Sequence, residues 1–223
     1  MATIVITGAN RGIGLELARQ YAREGHEVIR MMRGIDKADP LFGTTVALDV
    51  TSGESVAKAA AALGGKPIDL LIANAGVIGP DAANQSATAM DFAGFAATLD
   101  ANVLGPLRVI QSLLPNLRAA KDAKVAVVSS RMGSMAYAKS DHVAYRASKA
   151  AVNKVVQCLA TDLAEEGIAV ASLHPGWVRT DMGGAGADID VETSATGLRN
   201  VLAGLNLDNT GRFWAYDGEA LTW

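Results

Sequence analysis

The chain has 223 residues, half of them hydrophobic and 19% charged, and its formal net charge is −3 at pH 7. This length supports one well-packed domain rather than two, and the apolar content excludes an intrinsically disordered protein. A slightly acidic chain has no chain-wide basic field. Nucleic acid and anionic membranes are therefore not expected partners, and any phosphate must be bound locally.

The single cysteine and the first residues bear on the cellular compartment. Cys158 has no partner for an internal disulfide, which fits a reducing compartment. Ile4-Val5-Ile6 is already strand-like, with no charged leader before it, and no apolar run reaches the roughly 18 residues that span a bilayer. We therefore expect a soluble, cytoplasmic protein without membrane association.

Short apolar segments alternate with helical periods along the whole chain. Six segments are rich in β-branched residues, as in parallel strands that are buried on both faces, and a seventh is expected to close the sheet. The predicted strands are 3–7, 27–31, 44–48, 69–72, 124–128, 168–173 and 212–216.

Three predicted helices between these strands have clear apolar periods. The positions are Ile13, Leu17 and Tyr21; then Phe95, Leu99, Val103, Leu107, Ile110 and Leu114; then Val152, Val155, Val156, Leu159 and Leu163. Alternating strands and helices predict right-handed crossovers and a doubly wound parallel sheet with helices on both faces. Because no linker or repeat interrupts the pattern, we expect an α/β fold, with one Rossmann-type domain over residues 1–223.

The first predicted strand leads through a glycine-rich loop directly into a helix. Glycines at such a junction let the backbone approach a pyrophosphate, and the helix N-terminus supplies free N–H groups and partial positive charge. Glycine turns also arise for steric reasons alone, but placement between strand and helix favours a dinucleotide site. The candidate contacts are Gly8, Asn10, Arg11, Gly12, Ile13 and Gly14.

Charge beside this loop predicts which dinucleotide is bound. Sites for NAD place an acid after the second strand to bind the ribose 2′-hydroxyl. Here the strand is followed by Arg33, with no acid before Asp36. Arg33 and Arg11 offer forked donors for a 2′-phosphate, which favours NADP(H) over NAD(H). The alternative is that both are ordinary solvated surface arginines.

Two further strand ends carry candidate cofactor residues. Asp49, after the third strand, could hydrogen-bond an adenine or instead cap the helix that starts after Ser52. Asn74-Ala75-Gly76 ends the fourth strand with small residues. These residues either let a cofactor lie against the strand tip or form an ordinary turn.

Tyr145 and Lys149 are four residues apart at a predicted helix start, so both side chains project from one face. A lysine cation beside a phenol lowers the pKa of the phenol from about 10 toward working pH, which suits a proton donor to a developing alkoxide. Ser130, at a strand tip, could hydrogen-bond the same carbonyl oxygen. The three histidines have no metal-ligand spacing, so no metal is expected.

Taken in order, these motifs resemble those of the short-chain dehydrogenases/reductases, and the resemblance covers essentially the whole chain. The matching motifs are Thr7-Gly8-x3-Gly12-x-Gly14, Asn74-Ala75-Gly76, Asn102, Ser130, Tyr145-x3-Lys149 and Pro175-Gly176. Residues 129–134, 144–149, 175–180 and 211–223 are similar to the C-factor and sniffer-like carbonyl reductase branch of that family.

The resemblance implies a role for each catalytic candidate. Tyr145 would be the general acid/base, Ser130 would polarise the carbonyl, and Lys149 would lower the tyrosine pKa and hold the nicotinamide ribose. Asn102 would anchor a water that relays protons to Lys149. The resemblance also implies cofactor contacts along the strand ends, namely Asp49, Val50, Asn74, Ala75, Gly76, Pro175, Gly176, Val178 and Thr180.

The implied activity is hydride transfer between NADP(H) and a carbonyl or alcohol substrate such as an aldehyde, ketone or quinone. Family members form dimers or tetramers through their long helices, so a homodimer or homotetramer is expected through the helices that carry Asn102 and Tyr145. The alternative is an NADP(H)-binding signalling or regulatory protein with little turnover, since a fold does not guarantee an activity.

The chain departs from the family pattern in three places. Ser130 lies fifteen residues before Tyr145, which leaves Ser129, Ser130 and Ser134 as alternatives for the serine that faces the substrate. Pro40 lies in the short segment after the second strand, so the usual helix there is expected to be reduced or missing. The glycine-rich stretch 182–187 replaces a bulky lid, which predicts a mobile or open site.

Pro106 lies inside the longest helical period, where a proline removes the hydrogen bond to the carbonyl of Asn102. With Gly105 beside it, a kink is predicted here. The kink either only bends the helix around the core or frees the Asn102 carbonyl for the water near Lys149.

Overall fold

The computed structural model describes residues 1–35 and 42–223, and its main sheet has seven parallel strands. These strands are β1 (Thr3–Thr7), β2 (Glu27–Met32), β3 (Thr44–Ala47), β4 (Leu70–Ala73), β7 (Lys124–Val128), β8 (Ala169–His174) and β9 (Phe213–Ala215). A separate antiparallel hairpin consists of β5 (Gln85–Ser86) and β6 (Ala89–Met90). The order across the main sheet is β3-β2-β1-β4-β7-β8-β9.

Helices cover both faces of this sheet, which confirms the predicted fold. They are α1 (Gly12–Arg23), α2 (Gly53–Leu63), α3 (Phe92–Leu99), α4 (Gly105–Arg118), α5 (Val143–Ala164) and α6 (Val191–Ala203). Successive strand residues alternate between two apolar layers. Ile4 and Ile6 pack with α1 and α6, whereas Val5 packs with α2, α4 and α5. Within the described ranges, no helix is both long and apolar enough to cross a membrane.

The sheet order places the site. Strand order reverses between β1 and β4, so the connections leave these neighbouring strands toward opposite sides. In doubly wound sheets this reversal opens a crevice at the carboxyl ends of the strands, where ligands bind. Thr7 and Ala73 are the last residues of the two strands and therefore lie at the crevice.

The long central helix predicted from residues 95 to 114 is present, and its hydrogen-bond pattern changes partway along it. α3 ends at Leu99, and Asp100–Leu104 forms a π-helical turn in which the Gly105 N–H donates to the Asp100 carbonyl, five residues earlier. Pro106 follows this turn, and its missing N–H leaves the carbonyl of Asn102 without the usual α-helical donor. The predicted disturbance is therefore correctly placed, and it is a π-helical turn within a helical run that is unbroken from residue 92 to residue 118. Pro40 lies outside the described residues, so the expectation for that segment stays a prediction.

β9 forms one edge of the sheet, and the end of the chain folds back along it. The Leu221 N–H donates to the Phe213 carbonyl at 2.7 Å, and the Ala215 N–H donates to the Glu219 carbonyl at 2.8 Å. The Trp223 ring stacks on Phe213 with their centroids 5.5 Å apart. This C-terminal return covers the outer side of β9.

Candidate active site

A cleft of about 500 Å³ opens at the carboxyl edge of the sheet. Most of the predicted cofactor residues line it, namely Gly8, Asn10, Arg11, Gly12, Ile13, Arg33, Asp49, Val50, Asn74, Ala75, Gly76, Tyr145, Lys149, Pro175 and Thr180. The structure therefore brings together residues from all parts of the chain that the motifs singled out.

The glycine-rich loop is fixed against the tip of β4. Gly8 has φ +66°, and a Cβ there would lie 2.9 Å from the Ala75 Cα, so only glycine fits. The Thr7 hydroxyl accepts hydrogen bonds from the Asn74 and Ala75 N–H groups, both at 3.0 Å. The Asn74 side-chain amide donates to the Thr7 carbonyl at 3.0 Å. The role of the Thr7 side chain was not predicted, although a hydroxyl directly before the first glycine was a visible signal.

Three predicted cofactor contacts lie behind the cleft instead of lining it. A Cβ at Gly14 would lie 2.5 Å from the Asn74 amide nitrogen, so this glycine lets α1 pack against the loop. A Cβ at Gly176 would similarly lie 2.6 Å from Ile189. Val178 is buried and forms a β-bridge with Ile189. These residues support the shape of the site from behind.

The structure distinguishes between the two predicted roles of Asp49, which are adenine contact and helix cap. Its carboxylate accepts hydrogen bonds from the Thr51 N–H at 3.0 Å and the Thr51 hydroxyl at 2.7 Å, and these bonds hold its pKa below the ordinary value. The cap of α2 is Ser52, whose hydroxyl accepts from the Ser55 N–H at 3.2 Å. Asp49 is therefore not the helix cap, and it lines the cleft.

The two predicted phosphate-binding arginines are exposed at one end of the cleft. Arg33 lies close enough to Asp49 for its positive charge to contribute to the low pKa of that carboxyl. Arg11 forms an ion pair with Asp181, which follows β8, and the two side chains are 62% and 78% exposed. The sequence did not reveal this pair because its members are 170 residues apart.

Of the catalytic candidates, Tyr145 and Lys149 line the cleft, whereas Ser130 and Asn102 are not among its lining residues, and all four are buried. The exposed fraction is 8% for Tyr145, 5% for Lys149, 7% for Ser130 and 1% for Asn102. Tyr145 is the third residue of α5, and Lys149 follows one turn later. The Lys149 Nζ donates to the Val128 carbonyl at 2.8 Å and lies 5.6 Å from the centroid of the Tyr145 ring.

The pKa values of this pair differ from the expectation. Burial raises the pKa of Tyr145 to about 12, and a hydrogen bond with the Ser130 side chain opposes that rise. Burial lowers the pKa of Lys149 to about 8. The predicted net lowering of the tyrosine pKa is therefore wrong for this arrangement, because desolvation by burial is the largest effect on Tyr145 and raises its pKa. The phenol is protonated at neutral pH, which is the form that donates.

The three candidate serines have different hydrogen-bond partners. The Ser129 hydroxyl is buried and donates to the Lys149 carbonyl at 3.4 Å. The Ser134 hydroxyl accepts from the Ala136 N–H at 3.3 Å. The Ser130 hydroxyl accepts from the Met132 N–H at 3.2 Å and lies close enough to the Tyr145 side chain to affect its pKa, whereas Ser129 lines the cleft. Which of the three serines faces the substrate stays a prediction, with Ser130 as the candidate beside Tyr145.

Asn102 lies on the π-helical turn and ties the tip of β4 to α5. Its side-chain oxygen accepts from the Val77 N–H at 2.8 Å, and its amide donates to the Val77 carbonyl at 2.8 Å and to the Ser148 hydroxyl at 3.0 Å. Its backbone carbonyl cannot receive the usual α-helical bond, because Pro106 has no N–H. The side-chain role was not predicted, whereas the carbonyl role remains an expectation.

The segment after β8 contains several internal hydrogen bonds, and the expected mobility of the glycine-rich stretch 182–187 stays a prediction. The Arg179 N–H donates to the Ile189 carbonyl at 2.8 Å, and the Ile189 N–H donates to the Trp177 carbonyl at 3.1 Å. The Trp177 indole donates to the Gly183 carbonyl at 2.9 Å. Met182 lines the cleft from this segment. Small residues leave the backbone free to make these bonds.

The cleft has the features that a dinucleotide requires. Gly8 and Gly12 both have a left-handed backbone conformation, and Gly12 is the first residue of α1, where free N–H groups and the helix dipole favour phosphate. A side chain at Gly8 would collide with Ala75, so glycine is required for this loop to pack against the tip of β4. The fold and the cleft together define a dinucleotide-binding α/β protein.

Comparison with known proteins then gives the family. The model of the short chain dehydrogenase family matches residues 2–188. The chain is 46% identical over 159 residues to the C-signal protein of Myxococcus xanthus, an alignment that covers 70% of this chain and 93% of that protein. The chain belongs to the short-chain dehydrogenase/reductase family.

Two solved structures match the chain along its length. The carbonyl reductase Sniffer of D. melanogaster has a TM-score of 0.92 at 30% identity, with 100% of both chains covered. The NADPH-bound carbonyl reductase from chicken fatty liver has a TM-score of 0.91 at 30% identity, covering 100% of this chain and 99% of that one. The predicted resemblance to the C-factor and sniffer-like branch is confirmed.

Proposed function

We propose that the protein is an NADP(H)-dependent carbonyl reductase that transfers a hydride between NADP(H) and an aldehyde, ketone, quinone or corresponding alcohol. The observation that carries this proposal is the buried pair of Tyr145 and Lys149, which line a cleft that also contains the glycine-rich loop, with Ser130 buried beside Tyr145. The match to an NADPH-bound carbonyl reductase supports both the reaction and NADP(H) as the expected cofactor.

Different residues along the cleft would bind different parts of the cofactor. Gly8, Gly12 and the N-terminus of α1 would hold the pyrophosphate, and Arg11 and Arg33 would hold the 2′-phosphate. The adenine would lie at Asp49 and Val50. The nicotinamide half would lie along seven other predicted contacts that line the cleft, which are Asn74, Ala75, Gly76, Tyr145, Lys149, Pro175 and Thr180.

The reaction needs a hydride and a proton. When bound, NADPH supplies the hydride to the carbonyl carbon. The Tyr145 hydroxyl donates its proton to the carbonyl oxygen as negative charge develops there, and the Ser130 hydroxyl donates a hydrogen bond to the same oxygen. Because burial holds the pKa of Tyr145 at about 12, the proton is in place at neutral pH.

Lys149 and Asn102 act on Tyr145 after its hydroxyl proton has been transferred to the substrate. The Lys149 ammonium, 5.6 Å from the ring centroid, favours the phenolate that proton transfer leaves behind. The Asn102 carbonyl, which Pro106 deprives of its usual donor, would hold a water through which a proton returns to Lys149 and Tyr145.

A second candidate function is an NADP(H)-binding signalling or regulatory role with little turnover. The observation that favours it is the 46% identity to the C-signal protein of Myxococcus xanthus. The complete set of Ser130, Tyr145 and Lys149 favours turnover, since a protein that only binds NADP(H) has no use for a buried acid/base group.

The remaining proposals concern the whole molecule. We propose a single NADP(H)-binding domain over residues 1–223, in the cytoplasm, that assembles into a homodimer or homotetramer through the helices carrying Asn102 and Tyr145. In support, Leu104, beside Asn102, is 45% exposed in the isolated chain. Light scattering at several concentrations tests the assembly, and a monomer at every concentration would contradict it.

The test of the activity is a screen of aldehydes, ketones and quinones with purified protein, following the absorbance of NADPH. We expect consumption of NADPH with at least one class, and loss of that consumption in Tyr145→Phe. If the protein binds NADPH but no compound is reduced above the background of Tyr145→Phe, the regulatory role takes its place.

A further inference from the structure

α5, the helix that carries Tyr145 and Lys149, begins without a side-chain cap from its own segment. His142, at the N-cap, has a left-handed φ of +51° and makes no side-chain capping hydrogen bond. The Arg146 N–H donates to the His142 carbonyl at 2.8 Å. The Tyr145 N–H comes one residue earlier, so it has no carbonyl within the helix to receive it.

Gln85, from the β5–β6 hairpin, supplies the acceptor. Its Oε1 accepts a hydrogen bond from the Tyr145 N–H at 3.3 Å. Its Nε2 donates to the Ile78 carbonyl at 3.3 Å and also to the Pro80 carbonyl. The Gln85 side chain is completely buried, and both ends of its amide are used.

A second set of hydrogen bonds holds the backbone carbonyl oxygen of Tyr145. The Ser148 hydroxyl donates to the Tyr145 carbonyl at 2.7 Å and accepts from the Asn102 amide at 3.0 Å. The same Asn102 amide donates to the Val77 carbonyl. Both routes therefore end on residues 77–80, the direct continuation of the Asn74-Ala75-Gly76 strand tip that lines the cleft.

We infer that Gln85 is a positioning residue, which caps α5 and sets where the Tyr145 hydroxyl lies relative to the strand tip of β4. The inference rests on the proposed function, in which Tyr145 is the proton donor. A proton donor must lie within hydrogen-bond reach of its acceptor, and a displacement of about 1 Å can cost about 100-fold in rate.

The first test compares two variants that lose matched buried amides. Gln85→Met keeps the length of the side chain but removes its hydrogen bonds. The control is Asn116→Leu, because Asn116 is 3% exposed and its amide donates to the carbonyls of Gly64 and Lys66, near the opposite edge of the sheet. We expect both variants to lose stability. Only Gln85→Met should lower kcat per NADPH-binding site, by about 10- to 100-fold, with the Kd for NADPH within about 2-fold of the parent.

The second test is the conservative variant Gln85→Glu. When protonated, the introduced carboxyl can accept from the Tyr145 N–H and donate to one carbonyl. When ionised, it faces the carbonyl oxygens of Ile78 and Pro80, which together with burial raise its pKa. The kcat of this variant should therefore be partly restored at low pH and should fall as the pH rises through that pKa. If Gln85→Met does not fold, the pH dependence of kcat in Gln85→Glu tests the positioning role by itself.

A third measurement does not depend on activity. Hydrogen exchange of the Tyr145 amide should be about ten-fold faster in Gln85→Met and unchanged in Asn116→Leu. If kcat and amide exchange of Gln85→Met both match the control, Gln85 is only structural and the inference is wrong. If the parent protein reduces no carbonyl compound, the proposed function fails, while the exchange measurement still tests the cap.

Discussion

The two ends of the cleft differ in how their charged groups are held. At one end, Tyr145 and Lys149 are buried, and each has hydrogen-bond partners inside the protein. At the other end, Arg33 is exposed, and Arg11 is paired with Asp181, which is also exposed. The pKa values of Tyr145 and Lys149 are strongly shifted by burial, whereas water and salt can screen the charges of Arg11 and Arg33.

The difference teaches that reactivity and cofactor choice are separable in this protein. Desolvation makes every charge at the buried end costly, so a change there should alter rate and stability together. Solvent screens the exposed arginines, so changes there should alter the affinity for NADPH with little effect on the rate of the chemical step or on stability. The following predictions test this separation.

The largest effect is expected for Tyr145→Phe, which removes one hydroxyl from a buried ring. Turnover should fall by roughly 10²–10⁴, the usual contribution of a positioned proton donor, while the Kd for NADPH stays close to that of the parent. Steady-state kinetics and a fluorescence titration with NADPH measure the two quantities. Turnover within a few-fold of the parent would show that Tyr145 is not the acid/base.

Lys149→Met should show that the buried lysine charge makes the stability of the parent depend on pH. The pKa of Lys149 is about 8 in the folded protein against 10.5 for a free lysine, so the unfolded chain binds more protons between these values. The stability of the parent therefore rises with pH in that window, and the cost of the buried charge is fully present below about pH 8. The Tm difference between Lys149→Met and parent should then be most favourable to the variant below pH 8 and should decline toward pH 10.5.

The matched control for that measurement is Lys154→Met, which removes an exposed lysine from the same helix. Its Tm difference from the parent should stay constant over the same pH range. Each 1 kcal/mol corresponds to about 2–4 °C in a chain of this size, so the effect is measurable. A pH-independent difference for Lys149→Met would mean that its charge is not suppressed by burial.

Arg33→Asp tests the exposed end. If Arg33 holds the 2′-phosphate, the Kd for NADPH should rise about ten-fold or more, because a hydrogen bond to a charged group contributes about 1.5–3 kcal/mol. NADH, which lacks that phosphate, should bind as well as before or better and serves as the internal control. An unchanged ratio of the two affinities would make Arg33 an ordinary surface charge.

The smallest effect is expected for Asp181→Asn. This change removes the charged partner of Arg11 and leaves the guanidinium free to reach a 2′-phosphate. The Kd for NADPH should fall by about 2- to 5-fold, in keeping with the small energy of an exposed ion pair. Adding Arg11→Met should abolish the gain. An equal change for NADH would mean that the pair acts on the loop and not on the phosphate.

Local patterns in the sequence were sufficient to predict the strands of the sheet and many of the residues that line the cleft. The strands could be predicted because their β-branched runs are short and continuous, and Gly8 and Gly12 because a strand-to-helix junction requires them. Tyr145 and Lys149 could be paired because one helix carries both. The position of the disturbance at Pro106 followed from its missing N–H, but the π-helical form that it takes did not.

Contacts between distant segments could not be predicted in this way. The Thr7 hydroxyl bonds to Asn74 across 67 residues, and Gln85 bonds to Tyr145 across 60. Neither residue type in isolation indicates such a partner. The pKa of Tyr145 was misjudged for a related reason, because the spacing of Tyr145 and Lys149 contains no information on how deeply the fold buries them.

The C-terminal return along β9 has a consequence for self-association. A strand at the edge of a sheet presents a row of backbone donors and acceptors that a second sheet can join, which is a route to aggregation. Here the return provides backbone partners for Phe213 and Ala215, and the stacking of Trp223 on Phe213 fastens it. Two sheets could pair through β9 only after the C-terminal return detached from it. The stacking of Trp223 on Phe213 therefore opposes edge-to-edge aggregation through β9.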